Sequence, residues 1–303
     1  MNNIKKTRIA KAAINLLCLG HAAETVSTKS NLWAQAQSVL TVEKISSLVP
    51  KIDDRSRRNA SSLSGNLVIS AHYGFYPALY LALAENSADK RVAAVIGDQP
   101  VEQAKALKNL ANKNGVDIDF IKGGLGIIRE TRNYLQLKRS AVLLLDVPWS
   151  GSAAPLDIWY PGPDGDFGSL RNLLRLPHLI DPHYKQCFVN EVGGHYLFEY
   201  STGSDDGVFN FLTEKLQNEP QFYERLDSFE RYFRFSCLPN GGVIFPIGLN
   251  TFFMSVIGRR IWDLTKACNA GALKIPASGI IANHDLSIVC EVTGQSLDFA
   301  VAI

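Results

Sequence analysis

Short apolar runs alternate with segments of helical periodicity between residues 66 and 146, and this alternation constrains the fold more than any other feature. The apolar runs cover residues 66–70, 91–96, 117–121 and 141–146. The segments between them that favour helices cover residues 77–85, 101–114 and 125–137. Strands and helices that alternate at these lengths predict an α/β fold with a mostly parallel central sheet flanked by helices.

The flanking regions differ from this core. Residues 1–60 predict a helical lead-in, residues 61–236 the α/β core, and residues 237–303 a small C-terminal cap or add-on domain. The helices expected in the lead-in cover residues 9–23, 29–39 and 42–49. The C-terminal part predicts a helix over 253–268 and a strand over 286–292.

The second half of the core carries weaker signals. The expected elements are a strand over 156–160, a helix over 169–176 ended by Pro177, a hairpin of 184–192 with 195–201, and helices over 205–218 and 220–233. Gly193 and Gly194 join the two strands of the hairpin, as a tight turn requires.

Composition excludes several classes of protein. The chain has 31 Lys and Arg against 29 Asp and Glu, with no basic block, so it lacks the charge of a phosphate-backbone reader. Its five cysteines show no Cys-x-x-Cys spacing, which argues against a disulfide framework or a zinc site and favours a reducing cytoplasm. The apolar run at 243–258 is interrupted by Pro246 and Asn250 and is too short to span a bilayer.

His72 is the strongest candidate for chemistry. An apolar strand delivers it to the strand's carboxyl end, Gly74 permits a sharp turn, and a helix begins at Pro77. In open α/β sheets, ligands collect at this end of the strands. An imidazole there can act as a general base near neutral pH. The alternative is a core histidine that hydrogen-bonds backbone carbonyls.

A colinear series of motifs between residues 66 and 235 accompanies this histidine. A strand enters a His-Tyr-Gly turn at 72–74, a Lys-Gly-Gly turn at 122–124 opens a helix, and a strand ends in Asp146. A strand closing on Gly162, a GSLRNLLRLP helix, a strand entered through Pro182 and a closing segment NEPQFYERLDSF follow. This order resembles the lysophospholipid and lipid A biosynthesis acyltransferases, a family that includes the late lauroyl and myristoyl transferases and the mycobacterial mannoside acyltransferase.

The resemblance implies transfer of an acyl group from an acyl carrier protein or coenzyme A thioester to a hydroxyl or amine, with His72 as base and no metal or other cofactor. Oxyanion donors are then expected among the backbone N–H groups of Tyr73 and Gly74, or of Lys122, Gly123 and Gly124. Two arginines, Arg129 and Arg132, could contact a pantetheine phosphate or simply lie in solvent. Tyr160 and Gly162 resemble the family's Phe-Gly element. Trp149, Trp159 and Phe167 either line an apolar groove or belong to the core.

One position departs from the family pattern. The family's histidine is followed five residues later by Asp or Glu, and here that position is Pro77. Three explanations stay open: a carboxylate from elsewhere, with Asp146 first and Asp98 second; a histidine that works without an acid; or a non-catalytic protein that binds an acyl chain or a partner. Asp146 is preferred because it ends a strand at the same edge of a parallel sheet.

The N-terminal sequence predicts an amphipathic helix, so we expect no counterpart of the membrane anchor that the lipid A relatives carry. We therefore expect a cytoplasmic protein with a small or carrier-bound acceptor, no nucleic-acid partner and at most peripheral membrane contact. A thioesterase, with water as the acceptor, is a third option.

Overall fold

The computed structural model describes residues 3–39, 51–97, 101–146, 156–204, 206–231, 233–235, 242–247, 250–255, 260–263, 269 and 280–281. The chain divides into two compact units. One contains residues 1–36, 161–167 and 215–303, and the other contains residues 37–160 and 168–214.

Thirteen strands and eight α-helices lie within the described residues. The strands are β1 (Leu67–Ser70), β2 (Arg91–Ile96), β3 (Asp117–Lys122), β4 (Ser140–Leu144), β5 (Ile158–Gly162), β6 (Gly165–Ser169), β7 (Lys185–Val192), β8 (His195–Thr202), β9 (Phe233–Phe235), β10 (Gly242–Ile247), β11 (Asn250–Ser255), β12 (Arg260–Asp263) and β13 (Ile280–Ile281). The helices are α1 (Asn3–Cys18), α2 (Ala23–Val39), α3 (Asp54–Ser62), α4 (Pro77–Glu85), α5 (Val101–Lys113), α6 (Ile127–Gln136), α7 (Arg171–Ile180) and α8 (Gly207–Asn218).

A six-stranded sheet forms the centre of the larger unit. Its order is β3-β2-β4-β1-β7-β8, and every neighbouring pair is parallel except β7 with β8, which form the predicted antiparallel hairpin. The expected α/β class with a mostly parallel central sheet is confirmed. In this order β1 and β4 are neighbours in the middle of the sheet, while β3 lies at one edge.

Helix α4 is buried on all sides. Pro77 occupies its first turn, where a missing N–H costs no helical hydrogen bond, and every residue from Pro77 to Ala84 is buried. It packs in one apolar cluster with Val68 of β1 and Val142 of β4. Because side chains alternate along a strand, the even-numbered residues of β1 and β4 face this helix.

The smaller unit has a separate core. Trp33 of α2 donates its indole N–H to Tyr223 O at 2.9 Å, and Asn15 of α1 donates to Leu226 O at 2.6 Å. Strand β6 pairs antiparallel with β9 through Gly165–Phe167. A four-stranded antiparallel sheet has the order β12-β11-β10-β13.

Several predicted elements are wrong. The described parts of the helix expected over 253–268 are strands β11 and β12, because a short aromatic and β-branched run fits a strand as well as a helix. Helix α7 does not end at Pro177 but continues to Ile180. Proline loses only its own N–H bond, and the N–H of Asp181 closes the last turn on Pro177 O at 2.8 Å.

The helix expected over 220–233 is replaced by two 3₁₀ segments, Pro220–Phe222 and Leu226–Arg231, with non-helical backbone at Ser228. Helix α3 is an element that the sequence patterns do not predict. It is a polar helix whose N-cap, Asp53, accepts the N–H of Ser56 at 2.5 Å. The elements expected over 42–49 and 286–292 lie outside the described residues. None of the described helices combines the length and apolar character needed to cross a bilayer.

Candidate active site

The register of β1 and β4 places His72 opposite Asp146. Each residue of β1 from Leu67 to Ser70 lies beside the residue 74 positions later in β4. Continuing this parallel register by two residues opposes His72 to Asp146, just beyond the carboxyl ends of the two strands. The prediction that Asp146 and His72 share one edge of the sheet is confirmed.

A hydrogen-bonded pair results. The Nδ1 of His72 lies 2.9 Å from Oδ1 of Asp146, and the backbone N–H of His72 donates to the same oxygen at 3.1 Å. His72 is 6 % exposed and Asp146 is 1 % exposed. Since a carboxylate oxygen accepts, Nδ1 carries the proton, and in the neutral ring Nε2 then has the lone pair. This is the arrangement in which an imidazole can take a proton from a substrate.

Two tyrosines follow the pair in the next turn and helix: Tyr76 contacts His72, and Tyr80 meets Tyr76 edge-on with centroids 6.4 Å apart. The Tyr76 ring meets the His72 ring edge-on, with centroids 5.3 Å apart. Burial raises the pKa of the Tyr80 hydroxyl, and the nearby negative charge of Asp146 raises it further. Tyr80 is therefore a neutral phenol at physiological pH.

The turn after His72 is sterically specified by Gly74. This residue has a φ of +60°, and a Cβ there would overlap Val189 O on the neighbouring strand β7. Only glycine fits both the left-handed conformation and the close approach. Tyr73 is buried beside it and packs edge-on against Phe211 with centroids 5.2 Å apart. The turn is thus anchored against β7 and α8.

The turn of Lys122, Gly123 and Gly124 lies at the same edge of the sheet but far from His72. Three strand spacings separate β3 from β1, which amounts to about 14 Å. All three residues are exposed, and the N–H of Gly123 already donates to Ile96 O at 2.7 Å. This N–H continues the pairing of β3 with β2, and the expectation that Gly123 supplies an oxyanion donor stays a prediction.

The two arginines of α6 differ. Arg132 donates through Nη2 to Leu179 O at 2.5 Å and through Nε to Ile180 O at 3.3 Å, so its guanidinium caps the carboxyl end of α7. It is engaged in holding two helices together and does not fit the expected phosphate contact. Arg129 is exposed on the same helix, and its role in binding a phosphate stays a prediction.

The described aromatic candidates make packing contacts with other aromatic rings. Tyr160 stacks on Phe209 with centroids 4.5 Å apart, and Gly162 is the half-buried last residue of β5. Phe167 is 3 % exposed and packs against Phe229 and Phe233, so it is a core residue of its unit and does not line a groove. Two further candidates, Asp98 and Trp149, lie outside the described residues.

Two residues near the pair, Tyr76 and Tyr80, are absent from the sequence-based candidates. They follow His72 at four-residue intervals, a helical spacing that could have suggested them. Among the described residues, no group of three or more His, Cys, Asp or Glu side chains could hold a metal ion.

Comparison of the chain with protein-family models finds no match, and comparison with curated proteins finds none either.

Proposed function

We propose that the chain is an acyltransferase in which His72 is the general base and Asp146 replaces the acid that is missing at Pro77. The observation that carries this proposal is the buried hydrogen bond of 2.9 Å between His72 Nδ1 and Asp146 Oδ1 at the carboxyl edge of a parallel sheet. A carboxylate in this position orients the ring and stabilises the imidazolium that forms during proton transfer.

The proposed reaction begins with a hydroxyl or amine of the acceptor beside Nε2 of His72. The Nε2 lone pair takes the acceptor's proton while the acceptor oxygen or nitrogen bonds to the carbonyl carbon of the thioester. The resulting tetrahedral intermediate collapses with breakage of the C–S bond. The Nε2 proton then passes to the departing thiolate, so the imidazole ends the cycle neutral.

The oxyanion of this intermediate needs backbone donors close to His72. The N–H groups of Ala78 and Leu79 in the first turn of α4 already donate to Phe75 O and Tyr76 O. Because the turn of Lys122, Gly123 and Gly124 lies about 14 Å from His72, the His72-Tyr73-Gly74 turn is the remaining candidate of those expected. We assign the oxyanion donor to the N–H of Tyr73 or Gly74.

The donor in this proposal is an acyl carrier protein or coenzyme A thioester, and the acceptor is a small or carrier-bound hydroxyl or amine in the cytoplasm. The resemblance in motif order between residues 66 and 235 supports the choice of donor. The near-balanced charge of the chain supports an acceptor other than nucleic acid.

The test uses the full chain, purified as wild type and as His72→Ala, with acyl-carrier-protein and coenzyme A donors and a panel of hydroxyl and amine acceptors. Loss of general-base assistance lowers the rate by about 10²-fold to 10⁴-fold. His183→Ala is the control, because His183 is exposed on the loop before β7.

Each other outcome has a definite meaning. Unchanged turnover in His72→Ala removes the histidine from the mechanism. Release of free acid without any acceptor identifies a thioesterase. Binding of the acyl donor without turnover in the wild type identifies the non-catalytic acyl-binding protein.

A further inference from the structure

The second oxygen of Asp146 has no hydrogen-bond partner among the described residues, although the residue is almost fully buried. Oδ1 accepts two N–H donors, while Oδ2 accepts none. A buried carboxylate oxygen without a donor is costly, because it has lost its hydration without a replacement.

A buried hydroxyl that also lacks a hydrogen-bond partner among the described residues lies on the neighbouring strand β1. Ser70 is 1 % exposed, and its Oγ has no hydrogen-bond partner in the described part of the chain. Ser70 is the last residue of β1 and lies opposite Leu144 of β4, two residues before Asp146. Serine oxygens that are buried normally find a partner.

Both side chains belong to the same face of the sheet. Ser70 has the parity of Val68, which packs beneath α4, and side chains alternate along a strand. Leu144 of β4 packs against the same apolar cluster, and Asp146 follows it by two residues, so the alternation places Asp146 on this face too. Two oxygens that lack a partner among the described residues therefore lie on one face of neighbouring strands, and one of them belongs to the carboxylate that bonds His72.

We propose that Ser70 is a positioning residue, whose hydroxyl donates to Oδ2 of Asp146, either directly after rotation about Cα–Cβ or through one bridging water molecule. The hydroxyl supplies the one donor that the carboxylate lacks. With Oδ2 anchored, Oδ1 stays directed at Nδ1 of His72 and holds the ring in the tautomer whose Nε2 is unprotonated. This inference concerns the geometry of the pair and does not rest on the proposed function.

The test follows the Nδ1 proton of His72 by NMR in the full chain labelled with ¹⁵N-histidine. The chain has six histidines, and a His72→Gln variant assigns the signal by its loss. In Ser70→Ala we expect exchange of this proton with water to accelerate about tenfold, since one hydrogen bond to a charged group is lost. Ser70→Thr keeps the hydroxyl and restores slow exchange.

Ser169→Ala is the matched control, because Ser169 is also fully buried with an unpartnered Oγ. Ser70→Cys is the second variant: it fills the same space with a weak donor and accelerates exchange even if Ser70→Ala does not fold. Wild-type exchange in Ser70→Ala or Ser70→Cys overturns the proposal. Equal acceleration in Ser169→Ala, or failure of Ser70→Thr to restore slow exchange, overturns it too.

Acyl transfer provides a second readout. Removal of a positioning residue lowers kcat and leaves KM unchanged, whereas loss of a packing contact at a distance moves neither. Absence of acyl transfer in the wild type would overturn the proposed function, and the exchange rates would still decide the role of Ser70.

Discussion

Two turns end at the same edge of the central sheet and differ in almost every physical respect. The turn after β1 carries His72, which is buried and bonded to Asp146. The turn after β3 carries Lys122, Gly123 and Gly124, all exposed. Strand β1 has a neighbouring strand on each side and is covered by helices, while β3 is an outermost strand of the sheet. A desolvated polar pair therefore needs a turn at the carboxyl ends of the strands that also follows a strand in the middle of the sheet.

The substitution Asp146→Asn, for which we expect the greatest change, tests which carboxylate bonds His72 in the turn after β1. Asp146→Asn keeps the shape of the side chain but removes the charge that holds the Nδ1 proton. We expect acyl transfer to fall by about 10²-fold to 10⁴-fold. Asp98→Asn, at the other carboxylate that the sequence offers, should leave the rate close to that of wild type. Loss in Asp98→Asn with full activity in Asp146→Asn would reverse the assignment.

A second substitution compares the rigidity of the two turns. Gly74→Ala forces a φ of +60° on alanine and drives its Cβ into Val189 O, so we expect a loss of about 3 kcal/mol in the free energy of unfolding. Gly124 has a φ of +139°, but no atom lies within 4 Å of the position that a Cβ would take there. Its alanine variant should lose about 1 kcal/mol from backbone strain alone. Urea denaturation measures both, and equal losses would mean that the contact with β7 contributes nothing.

A third substitution, Lys122→Ala, tests the role of the turn after β3. Lys122 is exposed and about 14 Å from His72, so it can attract an anionic donor but cannot reach the reacting carbonyl. Lys122→Ala should raise KM for the acyl donor about threefold, most at low salt, with kcat unchanged. Lys113→Ala, at the end of α5 and the opposite edge of the sheet, is the control. A fall in kcat for Lys122→Ala would mean that the turn after β3 takes part in the chemical step.

The smallest effect concerns Glu191 near the carboxyl end of β7. Burial raises the pKa of this carboxyl above its usual value of 4.5. The folded state therefore binds the proton more tightly than the unfolded state. The resulting stability is complete below pH 4.5 and is lost as the pH rises through the raised pKa. Because the side chain is partly exposed, we expect Glu191→Gln to gain only a few tenths of a kcal/mol at pH 8. Urea denaturation at pH 4 and pH 8 checks the sign.

The sequence predicts the centre of the sheet better than its surroundings. The apolar runs at 66–70 and 141–146 place β1 and β4, and a parallel pairing of these runs brings His72 to Asp146 with little further information. The burial of Tyr80 depends on how α4 packs, which the local pattern does not encode. The N–H of Gly123 is engaged because β2 and β3 pair to their ends, and sequence spacing does not reveal that pairing.

Ambiguous runs account for the other errors. Residues 250–255 contain aromatic and β-branched side chains whose spacing fits one face of a helix, yet they pair as strand β11. Pro177 is expected from the sequence to stop a helix, but the loss of a single N–H in the penultimate turn is tolerated when the last turn closes on its carbonyl. In both places long-range pairing or local closure outweighs the intrinsic preference.

The most direct measurement of the central pair is the ¹⁵N spectrum of His72 in the wild-type chain at neutral pH, assigned with His72→Gln. We expect a protonated Nδ1 that donates to Asp146 and an unprotonated Nε2 that can accept a proton. A His72 that carries its proton on Nε2, with Nδ1 bare, would contradict it.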